Sequence, residues 1–318
     1  MRDTKAQDQA LADTDGAIGY RRVEARQPVG KAALHVQHDA TPRVTDTPRL
    51  PYFHRPPVTR VSIAVAYDRL VRLRSAHAGL WWADLNADGK YPAVGEFAAR
   101  DVAIEDFSEN AVPSAFEISF EDRPDVPRVV FASENAVRQV AVQPDLLQVS
   151  WHRGKSADYP RFEPIHEDFR HKLESWRSFV AAQALGDFVP ELVEFAYFND
   201  LVRGDGWDTI GELRDMFKIA VGRDYGGEQQ EFHYADQTLV TAPEWPGSFR
   251  IYVSFFAHPN ALTEPDASLS IIVRGLVGSS GSEGQIDDPI RIAHDLASDT
   301  FVKLLTERAE EHWGRIRG

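Results

Sequence analysis

The sequence predicts an α+β protein of two related halves, with a curved antiparallel sheet packed against long helices. Short β-branched runs, separated by Pro, Asp and Asn turns, alternate with two long helical patterns. The order strand, helix, several strands, long helix occurs twice, the second time with less material. At 318 residues with 43% apolar side chains, the chain can bury a sizeable core without staples, and it has no cysteine to make any.

Taken in order, residues 1–50 show neither a period of 2 nor of 3.6 and scatter Gly, Pro, Asp and Thr. They read as an irregular tail, dispensable for folding, with local docking around 32–36. Thr47-Pro48 and Pro56-Pro57 punctuate its end, which places the start of the folded body near Pro51. Residues 58–67 predict a strand and 73–85 a helix. Strands at 115–121, 128–133, 137–142 and 147–152 form a meander. The segment 163–185 sets Ile165, Phe169, Leu173, Trp176 and Val180 at steps of three or four, with Pro164 in the first turn, and predicts a long amphipathic helix. The second half then offers a strand at 192–202, a short helix at 209–217, strands at 228–240, 248–258 and 269–277, and one final helix over 288–313. Two fragments align between the halves. Val65-Ala66-Tyr67-Asp68-Arg69-Leu70-Val71 matches Ala196-Tyr197-Phe198-Asn199-Asp200-Leu201-Val202, and Ile165-His166-Glu167 matches Ala293-His294-Asp295. The organisation expected is therefore a tail at 1–50, a first α+β repeat at 51–190 and a shorter second repeat at 191–318. In architecture this resembles TATA-binding-protein-like or helix-grip folds.

The net charge is −14, and residues 1–50 hold eight Lys/Arg against seven Asp/Glu, so the acidity belongs to the body. A field of that sign repels phosphate backbones and anionic lipid, which argues against nucleic-acid and membrane partners. The longest apolar runs fall far short of the ~20 residues of a membrane helix. The N-terminus lacks an apolar secretory core, and a cytoplasmic location is the expectation. Without cysteine there is no thiolate nucleophile and no Cys-ligated metal site.

Pro56-Pro57-Val58 stands before the first strand, His77-Ala78-Gly79-Leu80-Trp81-Trp82 on the first helix and Tyr159-Pro160-Arg161 before the long helix, followed by Tyr197-Phe198-Asn199, His294 and Trp313-Gly314-Arg315. In this order, over roughly residues 55–315, they resemble a sporadically distributed bacterial family of conserved proteins with no assigned activity. Arg60, where that family often has an acidic residue, and an inserted-looking Asn86-Ala87-Asp88-Gly89 depart from it. The resemblance implies a fold and no reaction.

Several constellations carry chemistry. Asp84-Leu85-Asn86-Ala87-Asp88-Gly89 fits the first half of a calcium loop, with Asp84, Asn86 and Asp88 as candidate ligands. The twelfth position is Gly95 rather than Glu, Glu96 comes one place late, and Pro92 occupies position 9. An ordinary helix-ending turn is favoured, and no bound metal or other cofactor is expected. His166-Glu167-Asp168-Phe169-Arg170-His171 places its His five apart, which is wrong for a zinc-protease helix. His77, His166 and His294 are the candidates for a general base if their helices converge, against the reading of each as a structural histidine. Gly278-Ser279-Ser280-Gly281-Ser282-Glu283-Gly284 lacks the ending of a phosphate loop, and Gly204-Asp205-Gly206 lacks a dinucleotide fingerprint. Trp82, Trp151, Tyr159, Arg161 and Asn199 are the candidate ligand-binding residues, weighed against aromatic core packing.

The expectation is a non-catalytic cytoplasmic binding protein that engages another protein in an accessory, antitoxin-like or defence role. The alternatives are a small-ligand-binding protein using the cleft between the repeats, or a His-dependent hydrolase or metalloenzyme.

Overall fold

A computed structural model describes residues 52–100, 126–154, 158–219, 229, 231–258, 266–277 and 286–316. The expected tail at 1–50, the strand at 115–121 and the Gly/Ser loop at 278–284 lie outside the described residues.

The class is α+β, with helices packed on one large antiparallel sheet. In chain order the elements are β1 (Tyr52–Phe53), β2 (Val58–Tyr67), α1 (Ser75–Leu85), β3 (Ala93–Phe97), β4 (Arg128–Ala132), β5 (Arg138–Gln143), β6 (Leu146–His152) and α2 (Phe162–Ala182). The second half continues with β7 (Pro190–Leu201), a 3₁₀ turn (Ile210–Glu212) running into α3 (Leu213–Met216), β8 (Phe232–Thr241), β9 (Ser248–Ala257) and β10 (Ala267–Leu276). It ends with α4 (Asp287–Leu304), α5 (Glu307–His312) and β11 (Arg315–Ile316). Nine strands form one sheet in the order β3-β4-β5-β6-β2-β7-β10-β9-β8. Outward from the central β2–β7 pair, the order is β6, β5, β4 on one side and β10, β9, β8 on the other. That pair sets Ile63 opposite Phe195 and Val65 opposite Val193, so the halves meet through backbone hydrogen bonds and a shared core.

One face of the sheet carries the helices. Alternation along β9 buries Phe249, Ile251, Val253, Phe255 and Ala257 and leaves the intervening residues half-covered, the signature of a strand with one packed face. β4 is buried at every position, the apolar run Val129–Ala132 on both faces and Arg128 at its start. On β10, Gly275 lies under the ring of Phe249, where a Cβ would overlap the ring carbons. Only glycine admits that contact.

α2 buries Phe162, Ile165, His166, Phe169, Leu173, Trp176, Phe179 and Val180, the stripe that its spacing predicts. The Trp176 indole donates to the Tyr67 hydroxyl at 3.0 Å, and Tyr67 donates to the Gln143 carbonyl at 3.1 Å, so two buried polar groups are satisfied beneath the helix. α1 docks through Trp81, whose indole donates to Ser175 and whose ring meets Trp176 at 4.8 Å.

The final helix is two helices rather than the single one expected over 288–313. At Leu305 the backbone turns extended and bridges Phe217, while Thr306 caps α5 by accepting from the Ala309 N–H. Leu305 is fully buried at this bridge, which interrupts the helical period. β1 pairs with β11, joining the two ends of the described body. Among the described residues, no helix is long and apolar enough to cross a membrane.

Candidate functional site

A cleft of ≈ 60 Å³ opens where the two halves meet, lined by Phe53, Pro56, Val58, Tyr159, Arg161, Tyr197, Asn199, Ser298 and Phe301. That is room for about four water molecules or one small polar group. Its walls come from β1, the entry to β2, the approach to α2, the C-terminal part of β7 and the middle of α4. Each element contributes for a local reason. Strand alternation on β7 turns Tyr197 and Asn199 to the helix side. Helical spacing on α4 puts Ser298 one turn beyond His294.

Arg161 is the N-cap residue of α2, with φ 74° and ψ 177°. That region is essentially restricted to glycine, and a side chain held there costs about 1–3 kcal/mol. The guanidinium lies 4.0 Å above the Tyr52 ring and donates to the Phe53 carbonyl at 2.9 Å. Asn199 donates through Nδ2 to the Leu269 carbonyl at 3.0 Å, which orients its amide. The Tyr159 and Tyr197 hydroxyls are 3.1 Å apart. Burial pushes both phenols up, and the close approach of Tyr197 adds to the effect on Tyr159. Both are therefore neutral near pH 7. The cleft thus sets one fixed cation among neutral hydroxyls and an amide.

Behind the cleft, two histidines stack on Phe162, His294 at 3.9 Å and His166 at 5.0 Å between ring centroids. His166 is buried, and burial depresses its basicity against the opposing pull of Asp287. Its Nε2 lies 3.3 Å from Asp287 Oδ1 but out of hydrogen-bonding direction. His294 places Nδ1 2.8 Å from Asp295 Oδ1 and Nε2 3.5 Å from Ser298 Oγ. Glu163 and Arg291 tie α2 to α4 across this region at 2.7 and 3.0 Å.

The candidate residues thus separate. Tyr159, Arg161 and Asn199 line the cleft, and Trp151 lies behind it with its ring 5.4 Å from that of Tyr159. Trp82 is elsewhere, donating to the Tyr91 carbonyl. His166 and His294 share Phe162, whereas His77 caps α1 by accepting from the Arg74 N–H at 3.0 Å. His171 is exposed and does not join His166. Tyr197, Ser298 and Phe301 were not singled out as ligand residues, although the step of four from His294 to Ser298 was visible.

In the calcium-like run, Asn86 Oδ1 accepts from the Tyr91 N–H at 2.7 Å and Asp88 pairs with Lys90. Gly95 and Glu96 belong to β3, opposite Val130 and Val129. Among the described residues, no group of three or more His, Asp or Glu side chains converges as a metal site. Gly204 and Gly206 take positive φ in a turn. The chain matches no protein-family model and no curated protein.

Proposed function

We propose that this protein binds a small carboxylate-bearing molecule in the cleft between its halves. The observation that carries the reading is Arg161, a charged residue held in a glycine-like backbone conformation at the cleft wall. Backbone strain persists where its surroundings over-determine it, and it concentrates at ligand clamps. A guanidinium suits a carboxylate, whose two oxygens it meets in a planar fork. The neutral Tyr159 and Tyr197 hydroxyls and the Asn199 amide supply orienting hydrogen bonds without opposing charge.

The test is Arg161→Gly. Glycine relaxes the backbone, so the melting temperature is held or raised, while binding of acetate or succinate by titration calorimetry is lost. A wild-type protein that binds neither, or an Arg161→Gly protein that binds both unchanged, refutes the reading.

A protein partner in an accessory, antitoxin-like or defence role is the second reading. It draws on β8, a ten-residue strand that is largely exposed on both faces and, among the described residues, pairs only with β9. Such an edge accepts an added strand. Affinity purification tests it: a stoichiometric partner lost when Thr238 and Val240 are replaced by Pro supports this reading, and retention of the partner by that variant opposes it.

A further inference from the structure

We propose that Ser298 is an acyl-accepting nucleophile, with His294 as its base and Asp295 positioning the base, so that the cleft hydrolyses small carboxylate-bearing esters. The inference rests on the reading of the cleft as a ligand site and goes beyond it to a reaction.

Three groups on one helix carry the geometry. Ser298 Oγ lies 3.5 Å from His294 Nε2, and His294 Nδ1 lies 2.8 Å from Asp295 Oδ1. Residues four apart share a helix face, which brings the hydroxyl to the imidazole. A carboxylate at Nδ1 keeps the proton there and leaves the Nε2 lone pair toward Ser298, the tautomer a general base requires. The imidazole is clamped, stacked on Phe162 at 3.9 Å and edge-on to Phe195 at 5.2 Å. Ser298 lines the cleft, so its hydroxyl borders the space a ligand would fill. A separation of 3.5 Å is long for a hydrogen bond, as catalytic contacts often are before substrate tightens them.

In the reaction, Oγ bonds to the acyl carbon as its proton passes to Nε2. The ester C–O bond then breaks, and the alcohol departs with that proton. Water attacks the acyl-serine in the same way, giving one proton to Nε2 and on to Oγ, and releases the carboxylic acid. Tyr197, protonated by virtue of its burial, lines the same cleft with Tyr159, Arg161 and Asn199, and these are the donors available to the oxyanion.

The test is covalent labelling of the full chain with an ethyl fluorophosphonate probe, in which Oγ displaces fluoride, followed by peptide mapping. A single adduct on Ser298 is expected, absent in Ser298→Ala and formed at least ~100-fold more slowly in His294→Gln. Asp295→Asn slows labelling at an unchanged melting temperature, and Asp295→Glu restores it. A folded wild-type protein that resists the probe, or labelling that persists in Ser298→Ala, overturns the proposal. Carboxylate binding without labelling keeps the ligand site and removes the nucleophile. Labelling of Ser298 that excess succinate does not slow keeps the nucleophile and removes the carboxylate reading.

Discussion

Glu194→Gln leaves two guanidinium groups without their shared carboxylate on the sheet face opposite the described helices. In the native protein, Arg100 Nη2 donates to both Glu194 oxygens at 2.8 and 2.6 Å, and Arg274 Nε donates to Oε2 at 2.8 Å. The three side chains are 7, 17 and 9% exposed for Glu194, Arg100 and Arg274. Burial alone pushes the Glu194 carboxyl up, but Arg100 and then Arg274 override it and hold the group at about 2. Against an ordinary value of 4.5, this difference corresponds to roughly 3 kcal/mol. Breaking a buried pair by removing one partner costs about 3–5 kcal/mol, which agrees. A carboxyl depressed in the folded state stabilises the protein above its unfolded value, and the contribution is lost as pH falls from about 4.5 toward 2. Urea denaturation from pH 7 to pH 3 is the assay. The Gln variant is expected to lie about 3 kcal/mol below wild type at pH 7, with the gap narrowing below pH 4.5. A gap under about 1 kcal/mol at pH 7, or one that stays constant to pH 3, refutes the reasoning.

Leu173→Ala on α2 truncates a buried side chain facing the sheet and is expected to cost about 2–5 kcal/mol in chemical denaturation, whereas substitution of the half-buried Lys172 costs less. Acid also acts through histidine. His152 is held at about 3 by burial and then by Arg60, and His166 is lowered by burial. The unfolded chain therefore takes up protons first, and stability declines as pH falls below about 6.5. His152→Gln flattens that decline, and a pH-independent stability between 7 and 5 would contradict it. Calcium titration by calorimetry should show no submicromolar site, since Asn86 is engaged with Tyr91 and Glu96 lies in β3. Tight binding lost on Asp84→Ala would reverse this conclusion.

Local pattern determined the elements that bury a periodic face. The α2 stripe Ile165, Phe169, Leu173, Trp176 and Val180 and the alternation of β9 were legible because each residue's role follows from its spacing alone. β3 and the β1–β11 ribbon were not, because a five-residue edge strand and two-residue strands carry too little pattern and exist through their partners. The break at Leu305 likewise depends on Phe217, nearly ninety residues earlier. For the site, Tyr159, Arg161 and Asn199 were recognisable as candidate ligand residues, but only the antiparallel β2–β7 pairing and the docking of α4 bring them together with Ser298. The strained backbone of Arg161 and the Ser298–His294–Asp295 geometry are properties of three dimensions. Sequence spacing shows which residues share a face, while tertiary packing decides which faces enclose a common space.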